Sequence, residues 1–126
     1  MRLLLAGPFV AAILAGVITS AQQPRPGVTL GELTWQEAEA ILTPSAVVVI
    51  PLGAAALEHG PHMRLDNDER LARHLAQRVK AAADVVVAPP LAYHFYPAFL
   101  EYPGSTSLSQ NTARDITVEI VRTLAK

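Results

Sequence analysis

Residues 46–50 read Ala-Val-Val-Val-Ile, and residues 84–88 read Asp-Val-Val-Val-Ala. Runs rich in β-branched residues, without alternating polar positions, are typical of strands buried on both faces of a sheet. The segment 68–83 between them carries apolar residues at four-residue spacing, as on one face of a helix. Those residues are Leu71, Leu75 and Val79. The order strand, helix, strand predicts an α/β fold with a mostly parallel sheet flanked by helices.

Two further helices are predicted outside this unit. Thr34 and Glu37 have the spacing of a capping box, which predicts a short helix through Leu42. A last helix is predicted from about Asn111 to Ala125 because apolar residues again recur on one face. The segment from residue 51 to residue 67, which contains two glycines and two prolines, is predicted to be a loop.

The composition narrows the class of protein. The chain has 126 residues, which fits one domain, and its 51% hydrophobic and 17% charged residues are typical of a globular protein. A net charge of -1 gives little electrostatic support for nucleic-acid binding. The absence of cysteine excludes disulfides, thiolate metal sites and a cysteine nucleophile. Histidine, carboxylate and hydroxyl groups therefore remain as the chemically active groups.

The first 21 residues have the pattern of an export signal. A positive charge at Arg2 precedes the apolar stretch 3–17, which is shorter than the ~20 residues that a transmembrane helix needs. Small residues follow before Gln22, as at a signal-peptidase site. We predict that residues 1–21 are a signal peptide, the only part to contact a membrane, and that residues 22–30 are a flexible lead-in. The protein is then periplasmic or secreted; an uncleaved N-terminal anchor is the alternative.

Residues 58–69 concentrate groups that can bind a metal ion or a proton. They read Glu-His-Gly-Pro-His-Met-Arg-Leu-Asp-Asn-Asp-Glu and follow a predicted buried strand, where open α/β sheets place their ligand crevice. Imidazole and carboxylate without thiolate suit Zn²⁺ or Mn²⁺. An ordinary interpretation also exists. Aspartates before a helix are common N-caps, and two loop histidines can be surface residues.

Several of these motifs together resemble the creatininase family signature. Residues 50–53 read Ile-Pro-Leu-Gly, residues 58–62 read Glu-His-Gly-Pro-His, and Asp68 lies nine residues after the first histidine. The resemblance continues through residues 89–91 and through residues 102–108, which read Tyr-Pro-Gly-Ser-Thr-Ser-Leu. It implies that residues 31–126 are the N-terminal half of a creatininase-like amidohydrolase domain, so that the α/β fold is incomplete.

The resemblance also implies a set of site residues. Divalent metal, Zn²⁺ or Mn²⁺, is expected, with two ions in a complete site. The implied metal ligands are Glu58, His59 and Asp68, with Asp68 bridging both ions. Leu57 holds the usual place of the glutamate, and Phe99 stands where several relatives have a histidine. The predicted substrate pocket comprises His62, Tyr93, His94 and Ser105.

The predicted function is that of an exported metal-dependent hydrolase. It would act on a non-peptide C–N bond, an amide or cyclic amide, through metal-activated water. In the family the second half supplies the remaining ligands, so the isolated chain is expected to be inactive; a small amide substrate and a homo-oligomer are also implied. The alternatives are a non-catalytic exported α/β module that binds a small ligand or a partner, and a one-metal hydrolase using Glu58, His59, His62 and Asp68.

Overall fold

The structure is a computed structural model that describes residues 25–125. The predicted signal peptide, the start of the lead-in and the last residue lie outside the described residues. Within these residues the sheet has three short strands: β1 (Val28–Thr29), β2 (Val48–Val49) and β3 (Val86–Val87). Their order is β1-β3-β2, and both pairings are parallel. The predicted α/β fold with a mostly parallel sheet is confirmed.

The strands differ from the prediction in length and in number. Ladder pairing covers two residues of each predicted run, with Val48 and Val28 both in register with Val86. Strand β1 lies inside the segment that we predicted to be a flexible lead-in. Its Val28 amide donates to the Val85 carbonyl at 2.9 Å, so that the backbone of the lead-in is fixed at the sheet edge.

Helices follow or precede each strand. After a 3-10 turn at Leu30–Glu32 come α1 (Trp35–Ile41), α2 (Asn67–Ala82) and α3 (Gln110–Leu124). The capping box of α1 is confirmed: Thr34 Oγ1 accepts from the Glu37 amide at 3.3 Å, and the Glu37 carboxylate accepts from the Thr34 amide at 2.8 Å. The bonds from the Thr34 backbone and side chain lower the pKa of Glu37 because they stabilise its charged form.

Helix α2 packs on the sheet through small side chains. Ala76 is buried and forms a core cluster with Val85 and Val87. The predicted apolar face was wrong, because Leu71 and Leu75 are 53% and 51% exposed. The reason is steric. Gly53, which follows β2, lies so close to the backbone of Asp68 and to Ala72 that the side of α2 facing it carries small residues, and the leucines lie on another side. The four-residue spacing of leucines therefore identified a helix but not its buried face.

Helix α3 lies beside the other side chains of β2. Ala113 of α3 is almost fully buried, at 1% exposure. Val121 and Leu124 line a groove with Val48 and Ile50. Since successive residues of a strand point to opposite faces, Val49 reaches the α2 side while Val48 and Ile50 reach this groove. Within residues 25–125, no helix combines the length and the apolar character that crossing a membrane requires.

Candidate metal centre

The loops that follow β2 and β3 are joined by hydrogen bonds, and all the predicted site residues except Asp68, which lies in α2, are on them. An isolated parallel bridge pairs Leu52 with Leu91. Farther along, the Ala55 amide donates to the Ala92 carbonyl at 3.0 Å, and the Thr106 amide donates to the Ala56 carbonyl at 2.9 Å. Both loops leave the carboxyl ends of parallel strands, where α/β sheets form ligand crevices. This backbone framework fixes the position of the residues that follow Ala56.

His59 and Asp68 meet at this edge of the sheet. His59 Nε2 lies 3.3 Å from Asp68 Oδ1, and the two side chains are 19% and 36% exposed. Although the distance is short, the geometry is not that of a hydrogen bond, and the buried Nε2 atom has no hydrogen-bond partner in the described part of the chain. The structure therefore brings together an imidazole nitrogen and a carboxylate oxygen from residues nine positions apart in sequence.

The position of Asp68 follows from how α2 begins. Asp68 lies in the first turn of the helix, where the helix dipole favours a negative charge. The next residue, Glu69, donates its amide to the Ala54 carbonyl at 3.2 Å. A Cβ at Gly53 would press against the carbonyl group of Asp68 and lie 2.9 Å from the Ala72 Cβ. The start of α2 is thus held directly against the loop that carries His59.

Glu58 is held within its own loop. Its Oε1 accepts from the Gly60 amide at 2.6 Å, and its amide donates to Ser105 Oγ at 3.0 Å. Gly60 has φ +100°, a conformation that a side-chain-bearing residue rarely adopts, and this permits the turn. Among residues 25–125, no three histidine, cysteine or carboxylate side chains converge as a metal-binding group. The structure therefore brings together His59 and Asp68, and leaves the Glu58 carboxylate on the Gly60 amide.

The predicted pocket residues are divided between different positions. His62 and Tyr93 are exposed. His94 Nε2 lies 2.9 Å from Thr117 Oγ1, which ties it to α3. Ser105 anchors the loop of Glu58 through the bond described above. Of these four residues, Ser105 is the one that is hydrogen-bonded to the loop of Glu58 and His59.

The interpretation of the aspartates as helix caps does not hold for the side chain of Asp66. It occupies the N-cap position of α2 but makes no side-chain capping bond. Its two carboxylate oxygens instead accept from Arg64 at 3.0 and 3.1 Å. Asp66 therefore belongs to a surface ion pair, whereas Asp68 faces His59. The two carboxylates, although two positions apart, have different surroundings.

Tyr96 is a residue that the sequence motifs did not single out. Its hydroxyl oxygen is buried and has no hydrogen-bond partner within the described segment. Burial, and then the negative charge of Asp68, raise the pKa of Tyr96 because both disfavour the phenolate. One feature of the sequence could have pointed to Tyr96: it lies in the aromatic segment 93–96, which follows β3 and so leaves the same edge of the sheet as the loop of His59.

The pair of His59 and Asp68 fits a divalent cation. A buried imidazole nitrogen without a hydrogen-bond partner beside a carboxylate is the donor chemistry that Zn²⁺ and Mn²⁺ accept. The pair supplies two donors, and Glu58 adjoins it in sequence.

Comparisons with a family of proteins and with individual relatives agree on one family for this chain. Residues 31–126 match the creatininase family, described as creatinine amidohydrolase. The creatinine amidohydrolase of Pseudomonas putida is 33% identical over 105 residues, which is 79% of this chain and 40% of that protein. A mycofactocin precursor peptide peptidase of Mycolicibacterium smegmatis is 35% identical over 86 residues, 64% of this chain and 34% of that protein. The chain thus spans about 40% or less of the length of these relatives.

Solved structures give the same result. A creatininase variant complexed with creatine superposes with a TM-score of 0.72 at 34% identity, over 79% of this chain and 40% of that one. A variant of Zn-Zn type has a TM-score of 0.71 at 33% identity over the same shares. A manganese creatininase has a TM-score of 0.59 at 29% identity, again over 79% and 40%.

Proposed function

This chain belongs to the creatininase family, and we propose that His59 and Asp68 form one side of a divalent-metal site for the hydrolysis of a small amide. The observation that carries the proposal is the approach of His59 Nε2 to within 3.3 Å of Asp68 Oδ1 with no hydrogen bond formed. A buried imidazole nitrogen normally has a partner. A cation coordinated by both side chains would supply that partner.

The chemistry of the site follows from the groups present. His59 and Asp68 would hold a divalent cation, which when bound would supply polarisation of a carbonyl group and a pKa of water lowered toward neutrality. Asp68 contributes negative charge, and the first turn of α2 keeps that charge in place. His59 contributes a neutral nitrogen donor. Glu58 can join them only if its carboxylate leaves the Gly60 amide, which it now accepts at 2.6 Å. The Zn-Zn and manganese structures of creatininases support the choice of metal.

The substrate class is proposed from the relatives. The Pseudomonas putida protein is a creatinine amidohydrolase, and one structural neighbour holds creatine. The first name supports a small cyclic amide as the substrate, and creatine is the ring-opened acid that hydrolysis of creatinine would give. The Mycolicibacterium smegmatis relative is named as a peptide peptidase, so a peptide bond is the competing substrate for the same site.

Turnover measurements test the proposal. The product of the complete reading frame that contains this sequence is assayed with creatinine, a linear formamide and a short peptide, with Zn²⁺ or Mn²⁺ present. We expect metal-dependent hydrolysis of a small amide that exceeds hydrolysis of the peptide, and loss of that activity after chelation.

The control for this experiment is direct metal binding. A protein that binds metal through His59 and Asp68 but hydrolyses none of these compounds would support the non-catalytic ligand-binding alternative instead. Preferential cleavage of the peptide would keep the metal site but reject the small-amide substrate.

We also propose export through residues 1–21. The support is the charged start, the short apolar stretch and the small residues before Gln22. Intact-mass measurement of the protein from the producing cell should give a mature chain that starts at or near Gln22, in a fraction outside the cytoplasm. A chain that retains Met1 would contradict cleavage and favour an uncleaved anchor.

A further inference from the structure

The hydroxyl group of Tyr96 is a second buried polar atom at this sheet edge that lacks a partner. Leaving a hydroxyl buried without a hydrogen bond is unfavourable, and native proteins usually satisfy such groups. Here the oxygen has no partner among residues 25–125, and neither does His59 Nε2. The segments that carry these two atoms are connected through Ser105 and Ser107, which bond to the Glu58 and Tyr96 amides, and a ligand bound between them could supply the missing partners.

Hydrogen bonds to two nearby serines place the backbone of Tyr96 close to the loop that carries Glu58 and His59. The Tyr96 amide donates to Ser107 Oγ at 2.8 Å, and two residues earlier Ser105 Oγ accepts from the Glu58 amide at 3.0 Å. The ring of His94 lies 6.2 Å from that of Tyr96, tilted by 58°, and is itself fixed to Thr117. The Tyr96 side chain is therefore held by its own backbone and by a neighbouring ring.

The surroundings of the Tyr96 hydroxyl also indicate that it acts as a hydrogen-bond donor. A phenol keeps its proton near neutral pH, and burial, followed by the charge of Asp68, raises the pKa of Tyr96 further. Yet the hydroxyl donates no hydrogen bond to Asp68 or to any other described group. A phenol that keeps its proton and has no acceptor is available to donate to an oxygen brought in by a ligand.

We propose that the Tyr96 hydroxyl donates a hydrogen bond to an oxygen atom of the amide substrate and so fixes the substrate beside Asp68. This inference rests on the proposed function, because it places the substrate at the His59–Asp68 pair. It assigns to Tyr96 a role in binding the substrate and none in holding the metal.

The substitution Tyr96→Phe tests the assignment, since it removes the hydroxyl and keeps the ring. The purified product of the complete reading frame that contains this sequence, loaded with Zn²⁺ or Mn²⁺, is titrated with creatinine, creatine and acetamide, and metal affinity is measured separately by calorimetry. We expect about a tenfold weaker affinity for the bound probe, the usual effect of losing one neutral hydrogen bond, with metal affinity unchanged. Tyr102→Phe, in the same loop with an exposed side chain, should change neither value.

A second measurement separates substrate binding from a structural role. Because the Tyr96 hydroxyl is buried without a partner in the free protein, Tyr96→Phe should leave the melting temperature unchanged or raise it. A marked fall would show that the hydroxyl supports the fold, and would overturn the inference. So would equal probe affinities, a loss confined to metal binding, or metal binding by a wild-type chain that takes up none of the probes. A wild-type chain that binds no metal would reject the proposed function first and this inference with it.

Discussion

The substitution Asp68→Ala should weaken binding of Zn²⁺ or Mn²⁺ by at least ~100-fold. Outer-shell residues of metal sites already contribute ~10–100-fold to affinity, and a direct ligand contributes more. Asp68 is the carboxylate that lies 3.3 Å from His59 Nε2, so its removal would leave a single donor at the site. Calorimetric titration of the wild-type and variant proteins with each metal measures the change.

Asp66→Ala is the matched control for that experiment. Asp66 lies two positions away but is bound to exposed Arg64, and surface pairs of this kind contribute only ~0–1 kcal/mol to stability. We expect near wild-type metal affinity from it. If Asp68→Ala and Asp66→Ala bind metal equally well, and Asp68→Ala only loses stability, then Asp68 acts on the helix terminus and not on a metal.

The substitution Gly53→Ala should lower the free energy of unfolding by ~1–3 kcal/mol, the usual effect of forcing an extra methyl group into a packed region. The added Cβ would press on the carbonyl group of Asp68, a backbone atom that can move only if the first turn of α2 moves with it. We therefore expect metal affinity to fall as well. Urea unfolding and metal titration of the same preparation measure both effects.

Gly31→Ala is the control because a Cβ at Gly31 has no neighbouring atom within 4 Å. It replaces glycine by alanine in the same way but adds no contact. Stability and metal affinity close to wild type are expected for it. If the two variants are equally stable, the close approach between the loop and α2 is not required for the fold.

The fold was predictable because its sequence patterns are strong. The two runs of β-branched residues located β2 and β3, and the Thr34 and Glu37 spacing located α1 and its capping bonds. The buried face of α2 was not predictable in this way. Hydrophobic periodicity counts large side chains, whereas the residues of α2 that face the rest of the protein are small: Ala72 lies at Gly53, and Ala76 packs on Val85 and Val87. Strand β1 was missed because two residues carry no periodic signal.

The candidate site was predictable in part for a related reason. The interval between His59 and Asp68 is local, and the structure brings these residues together. The Glu58 amide bonds to Ser105, and His94 bonds to Thr117. Because both partners are far along the chain, the spacing of residues in a motif could not predict these hydrogen bonds. The buried hydroxyl of Tyr96 was equally hidden, since a tyrosine among other aromatic residues gives no sign of which hydroxyl lacks a partner.

The strand order has a consequence for the rate of folding. Among residues 25–125 the central strand, β3, comes last in sequence, so neither Val28 nor Val48 can pair in the sheet until Val86 is in place. Neither outer strand can form a hairpin with its sequence neighbour, and every strand pairing closes a long loop. Closing such loops costs entropy before any pairing stabilises the chain, and proteins rich in distant contacts fold slowly. We therefore expect helices α1 and α2 to form early and the sheet to assemble in the rate-limiting step.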